Sequence, residues 1–308
     1  MSLTTSTISV VITCYSEGEL IFDAVNSVLK QTLPAKDLIL VNDGSTDTKT
    51  NKVCHELEQQ GVIQVIWQQP NGGPSIARNR GFGAATGDLF VLLDADDVLP
   101  PTALELIQVA FDQHPDAGFI YGNYLRQNEA ETAGTLVDPG DISLQTMLSP
   151  KPFSLSSQWK LIGTTPLRRS LWESLGGYDP AFGVQDLHDV EFWLRAIASG
   201  CPYYHLAEPI YIWRKYLGQN SRKVTPLAWY KIAQKHFEIY RQVGLEWRAY
   251  ELLLLGSKWL NQSASANTYA QKLLKFLWQG KVHFSTLVAL SLPVQLLRWL
   301  AKRATSKR

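Results

Sequence analysis

A chain of 308 residues is long enough for one large α/β domain with an appendage, or for two ordinary domains. Its 45% hydrophobic and 19% charged residues exclude wholesale disorder, and a net charge of +1 gives no overall attraction to nucleic acid. Three scattered cysteines, Cys14, Cys54 and Cys201, form no C-x-x-C pair, which argues against a disulfide framework or structural zinc and suits a reducing compartment. Residues 1–7 lack the basic region and apolar core of a secretory signal, so a cytoplasmic location is expected.

Residues 8–13 are β-branched but for Ser9, as expected of a strand covered on both faces. Ser16-Glu17-Gly18-Glu19 fits a capping box, with Ser16 as N-cap and Glu19 reaching back. Leu20, Ile21, Ala24, Val25, Val28 and Leu29 then repeat at helical spacing until Pro34 closes the segment. Residues 38–41 form a second buried strand that ends in the turn Asn42-Asp43-Gly44-Ser45, followed by a weaker helix over 47–59. A third strand covers 62–67, the turn Asn71-Gly72-Gly73-Pro74 leads into a short helix from Ser75, and a fourth strand over 88–93 opens into Asp94-Ala95-Asp96-Asp97. Strands alternating with helices imply an α/β fold with a mostly parallel sheet flanked by helices. Ligands bind such sheets at the carboxyl ends of the strands, where Tyr15, Asp43 and residues 94–97 all fall.

Beyond the helix at 102–114 and the strand at 119–121 the pattern blurs, and the polar stretch 125–150 reads as a long loop. Helices at 170–175 and 186–199 flank Gly176-Gly177, with Asp186 as N-cap and Asp189 in the first turn of the second. From Pro226 the pattern is helical, with Trp229, Ile232, Ala233, His236, Phe237 and Tyr240 on one stripe. The chain thus divides into an α/β domain over 1–222 and a C-terminal helical extension over 223–308. Residues 284–300 are strongly apolar and are followed by Lys302, Arg303, Lys307 and Arg308. Pro293 and Arg298 interrupt them, leaving fewer than the roughly 20 clean apolar residues of a spanning helix. Two readings remain: an amphipathic helix lying on a membrane surface, or a packed terminal helix with a solvated basic tail.

Carboxylates two apart at a strand exit, Asp94 and Asp96, can address one hard cation as the chain turns, or simply form a solvated acidic turn before Pro100-Pro101. Asp43-Gly44-Ser45 offers an acceptor beside a backbone that a ligand can approach closely, or a plain Asx turn. Tyr15 offers a stacking face. The plentiful Trp and Tyr after residue 150 suit sugar stacking as well as core filling.

Taken in order, these segments resemble the large family 2 of inverting glycosyltransferases with the GT-A fold. The matching text is Val10-Val11-Ile12-Thr13-Cys14-Tyr15, then Val41-Asn42-Asp43-Gly44-Ser45-Thr46-Asp47, then Asn71-Gly72-Gly73-Pro74-Ser75-Ile76-Ala77-Arg78-Asn79. It continues with Leu92-Leu93-Asp94-Ala95-Asp96-Asp97, Gly176-Gly177-Tyr178-Asp179 and His188-Asp189-Val190-Glu191-Phe192-Trp193-Leu194-Arg195, covering residues 8–220. The resemblance implies transfer of a sugar from a nucleotide-diphosphate donor, a UDP-sugar foremost, to a hydroxyl of a glycan, lipid-linked saccharide or protein glycan. It implies that Thr13, Tyr15 and Asp43 hold the nucleotide base and that Arg78 sits near the donor. Asp94 would touch ribose or metal, Asp96 would be the principal ligand of a divalent cation (Mn²⁺ or Mg²⁺), and Asp189 would be the catalytic base in a direct, inverting displacement.

Two positions depart from the family pattern. His188 stands where an acidic residue usually precedes Asp189, and Tyr216 stands where many relatives carry a metal-completing histidine, so ligation would rest on the aspartates and the diphosphate. The expected partners are the nucleotide sugar and a carbohydrate acceptor, with peripheral membrane contact through residues 284–308 and no nucleic acid. A nucleotidyltransferase would want a glycine-rich, basic loop where this chain has Cys14-Tyr15-Ser16-Glu17-Gly18, and a dinucleotide-dependent dehydrogenase would want G-x-G-x-x-G there. A non-catalytic nucleotide-sugar-binding protein of the same fold remains the rival from a different class.

Overall fold

A computed structural model of the chain describes residues 5–128, 134–183, 187–215, 226–280, 283–296 and 299. It divides into two compact units: Met1–Gly140, Leu161–Val184 and Arg195–Ser221 form the first, and Asp141–Lys160, Gln185–Leu194 and Arg222–Arg308 the second.

The first unit is an α/β layer structure. In chain order it runs β1 (Ile8–Cys14), α1 (Leu20–Leu29), β2 (Asp37–Asp43), α2 (Thr48–Gln60), β3 (Gln64–Gln68), α3 (Pro74–Ala84), β4 (Leu89–Asp94), α4 (Ala103–Gln113), β5 (Phe119–Asn128) and β6 (Thr135–Val137). After α5 (Leu144–Leu148) of the second unit come β7 (Leu167–Arg168), α6 (Arg169–Ser174), α7 (His188–Ala198), whose residues up to Leu194 belong to the second unit, and β8 (Tyr203–Lys215). The sheet order is β3-β2-β1-β4-β7-β5-β6, with β8 also on β5. Among the described residues, β1, β2, β3 and β4 pair in parallel and so do β5 and β8, while β7 and β6 join antiparallel.

The apolar runs explain the centre of this sheet. Val10 and Ile12 of β1 pack with Ile21, Ala24, Val25 and Val28 of α1 and with Leu104, Ile107 and Phe111 of α4 in one buried cluster. Each Val, Leu, Ile or Phe among these contributes about 1.5–3 kcal/mol by leaving water. Against the opposite face lies α3, where Gly81 lets the helix approach closely: a Cβ there would fall 2.2 Å from Val11 Cγ1.

The second unit is helical in its C-terminal part: α8 (Pro226–Lys235), α9 (Phe237–Gln242), α10 (Glu246–Trp259), α11 (Ser263–Trp278) and α12 (Phe284–Ser291). Its interior holds a fully buried ion pair. Arg248 Nη1 donates to Glu251 Oε2 at 2.7 Å, and Arg248 Nη2 donates to the Leu155 carbonyl. Ser285 and Thr286 donate their hydroxyls to Glu251 Oε1.

Several expectations are corrected. The capping box is absent: Glu19 itself is the N-cap of α1 without a side-chain bond, and Glu17 instead accepts from the backbone N–H groups of Tyr15 and Ser16 at 2.6 and 2.8 Å. The loop expected over 125–150 contains the end of β5, the strand β6 and the helix α5. The stripe from Trp229 to Tyr240 is broken at His236 into α8 and α9. Asp186 and Tyr216 lie outside the described residues.

Candidate functional site

Register places the predicted residues on one edge. Thr13 of β1 stands opposite Val41 of β2 on one side and Asp94 of β4 on the other, so Tyr15, Asp43 and Asp94 leave three neighbouring strands at their carboxyl ends. Thr13 is half-buried and Tyr15 is exposed, its ring available to a planar ligand.

Asp43 is buried and gathers donors from the turn after β3. Its Oδ1 accepts from Gly72 N at 2.9 Å and from Gln68 Nε2, and its Oδ2 accepts from Asn71 Nδ2 at 3.2 Å. Burial pushes its carboxyl up, against the hydrogen bonds from Gly72, Gly73 and Gln68. The turn closes tightly because residue 44 is glycine at φ +64°, where a Cβ would meet Asn71 N at 2.5 Å. Just below, Cys14 and Cys54, far apart in sequence, bring their buried Sγ atoms to 3.7 Å.

Arg78 is no surface arginine. It is buried in the second turn of α3, donates through Nη2 to Asp94 Oδ1 at 3.1 Å, and lies over the Tyr178 ring with 5.4 Å to the centroid. Asp94 keeps a partly exposed carboxylate. Burial raises Asp96 to about 6, with the charges of Asp94 and Glu17 adding to it. Two acids crowd each other at this strand exit, which is the electrostatic condition a cation relieves.

Two residues that sequence reasoning assigned no role hold this acidic turn in place. Asp97 is buried, accepts from Tyr211 Oη at 2.6 Å and from Arg214 N at 2.7 Å, and so pegs the β4 exit to β8. Burial and the Asp94 and Asp96 charges push Asp97 well up; burial likewise raises Tyr211, which keeps its proton and donates it. Arg214 donates through Nε to the Asp96 carbonyl at 2.6 Å and through Nη1 to Asp23 Oδ2 at 2.7 Å. The only sequence signal for it was a charge directly after the run Tyr211-Ile212-Trp213.

Asp189 belongs to the second unit, in the first turn of α7. It is half-buried, and two residues on, fully buried Glu191 accepts from Lys235 Nζ at 2.6 Å and lies 3.0 Å from His236 Nε2. The start of α7 is thereby tied to α8.

Residues 9–164 match the family model for glycosyl transferase family 2. The glycosyltransferase GlyG of Streptococcus pneumoniae is 33% identical over 125 residues, 40% of this chain and 41% of GlyG. An uncharacterized glycosyltransferase of Nostoc sp. is 32% identical over 237 residues, 73% of this chain and 64% of its own. The chain therefore spans less than two thirds of the length of either relative. Among solved structures, S. aureus TarS 1–349 in complex with UDP-GlcNAc is similar with a TM-score of 0.63 at 17% identity, over 98% of this chain and 92% of that one. At that identity the likeness is one of fold, the GT-A sheet with helices on its faces and at its C-terminal end. The family's pattern runs from β1 through the acidic turn after β4, on the sheet edge where those residues converge, and the chain belongs to glycosyl transferase family 2.

Proposed function

We propose that the protein transfers a sugar from a nucleotide-diphosphate donor, most simply a UDP-sugar, to a hydroxyl of a glycan, lipid-linked saccharide or protein glycan, with inversion at the anomeric carbon. The observation that carries this reading is the pair of crowded acids Asp94 and Asp96 at the carboxyl end of β4, with Arg78 beside them. Asp96, raised to about 6 by burial and by its acidic neighbours, fits a divalent cation. No cluster of three candidate ligands occurs among the described residues. A hard ion such as Mn²⁺ or Mg²⁺ needs only one or two carboxylates when diphosphate oxygens complete its shell. Asp96 and Asp94 would hold it, and when bound it supplies charge to stabilise the departing diphosphate.

The chain's own residues do the rest. Thr13, Tyr15 and Asp43 hold the nucleoside: Tyr15 offers its exposed ring for stacking and Asp43 a carboxylate oxygen for an N–H of the base. Arg78 sets a fixed positive charge beside Asp94. Asp189 accepts the proton of the acceptor hydroxyl as its oxygen bonds to the anomeric carbon and the bond from that carbon to the diphosphate breaks. The UDP-GlcNAc held by TarS, a protein of the same fold, supports a uridine nucleotide as the donor carrier. Free cysteines suit a reducing, cytoplasmic setting.

The test is calorimetric binding and turnover with UDP-, GDP- and dTDP-sugars, each with and without Mn²⁺. Asp96→Ala is expected to lose metal-dependent donor binding, and Asp189→Ala to bind donor normally without turnover. If no nucleotide sugar binds under any condition, the donor site is misassigned. Binding without turnover on any acceptor would favour a nucleotide-sugar-binding protein.

A further inference from the structure

Helix α12 buries Ser285, Thr286 and Ala289 and exposes its larger apolar side chains. Its inward residues include Ser285 and Thr286, both buried, whose hydroxyls donate to Glu251 Oε1, the first at 2.9 Å. Its outward residues are Phe284 and Leu287, 48% and 47% exposed, with Ser291 one turn on. A helix packed on a protein in water has the reverse arrangement. The apolar surface also extends beyond the helix: Phe153, 84% exposed, meets the Phe284 ring edge-on with centroids 5.5 Å apart. The preceding helix α11 ends in Trp278, 89% exposed, with exposed Leu274 a turn before it and exposed Lys272 and Lys275 on the same helix. Single exposed apolar residues are ordinary, whereas aromatics and leucines on successive helices of one unit mark an interaction surface.

Charge identifies the partner. After Glu251 the chain carries nine Lys and Arg and no Asp or Glu, although the whole chain has a net charge of only +1. A second copy docking on this segment would bring like charges together. Nucleic acid would match the charge but not the exposed Phe, Leu and Trp, whereas a bilayer with anionic headgroups matches both. No helix of the described residues is long and apolar enough to cross a membrane, so the contact lies on the bilayer.

We propose that the exposed apolar face of α12 with Phe153, together with the exposed end of α11, docks on an anionic lipid bilayer. Phe153, Trp278, Phe284 and Leu287 enter the boundary between headgroups and acyl chains. Lys272 and Lys275 lie against the headgroups. This reading favours the surface-lying helix over the packed terminal one, and it does not depend on which sugar is moved.

The test is flotation of the full chain with vesicles of phosphatidylcholine alone and of phosphatidylcholine with about one third phosphatidylglycerol. Binding to the anionic vesicles alone, weakening several-fold as salt rises from about 0.05 to 0.5 M, is expected. The triple variant Trp278→Ser, Phe284→Ser, Leu287→Ser is expected to lower the bound fraction about tenfold or more with its thermal midpoint and nucleotide-sugar binding unchanged. Lys272→Gln with Lys275→Gln is expected to weaken the preference for anionic vesicles several-fold. Absence of vesicle binding, equal binding to both vesicle types, or a dimer that dissociates in the triple variant would each overturn the proposal. Flotation reads no sugar transfer, so its failure and failure of the catalytic reading are separate results.

Discussion

Arg78 and Arg214 serve the acidic turn after β4 in different ways. Arg78 places a charge beside Asp94, whereas Arg214 fixes the backbone of Asp96 and, through its own N–H, the carboxylate of Asp97. Arg78→Met keeps most of the buried stem and leaves a partly exposed Asp94, so stability should change little while the Kd for UDP rises about tenfold, measured by calorimetry. An unchanged Kd would remove Arg78 from the donor site. Tyr211→Phe withdraws one of two donors from buried Asp97 and should cost about 1–2 kcal/mol in urea unfolding. At the other end of the sheet, Asp37 accepts from Ser9 Oγ and from both Thr86 N and Oγ1. Burial pushes its carboxyl up, but these bonds and Lys36 outweigh it and hold the carboxyl below its ordinary value. A lowered folded value stabilises above the unfolded one and is lost as pH falls through the folded one. Asp37→Asn should therefore destabilise the fold modestly at pH 7, and the difference from the parent should begin to close below about pH 4 and vanish below the lowered folded value.

At the scale of elements, the strands β1, β2 and β4 were legible because a parallel strand buried on both faces is written as an apolar run. Their polar exits, Tyr15, Asp43 and Asp94 to Asp97, could be read for the same reason: the run stops where the sheet edge begins. Strand β8 was not legible. It carries Glu208 and Pro209, and its pairing with β5 shifts register near Asn123, so no regular alternation survives in the sequence. The Tyr211–Asp97 bond joins residues 114 apart, a relation that no local pattern encodes. The Ser16 capping box failed because Glu17, two residues closer than Glu19, already accepts the N–H groups of Tyr15 and Ser16. Two substitutions probe element junctions. Gly44→Ala forces a side chain into φ +64° and against Asn71 N, and should cost about 2 kcal/mol or more while displacing the donors of Asp43. Arg248→Met strands Glu251 within α10 and should cost about 3–5 kcal/mol by denaturant unfolding, with Glu251→Leu in the same chain restoring part of it.

For the whole molecule, the division at residue 222 read from the sequence follows the change from alternating strands to helices, but the second unit also includes residues 141–160 and 185–194. The chain crosses between the units five times. Among the links within the second unit, Glu191 bonds to Lys235 and Leu155 to Arg248, each spanning a long stretch of intervening chain. Leu155 and Arg248 are 93 residues apart. At a synthesis rate of about 5–20 residues per second, the segment around Leu155 waits about 5–20 s before its partner has been made. Through that interval the nascent chain offers an unfinished helical core to whatever binds exposed apolar segments on the ribosome, and the start of α7, with Asp189, is secured only once α8 has emerged.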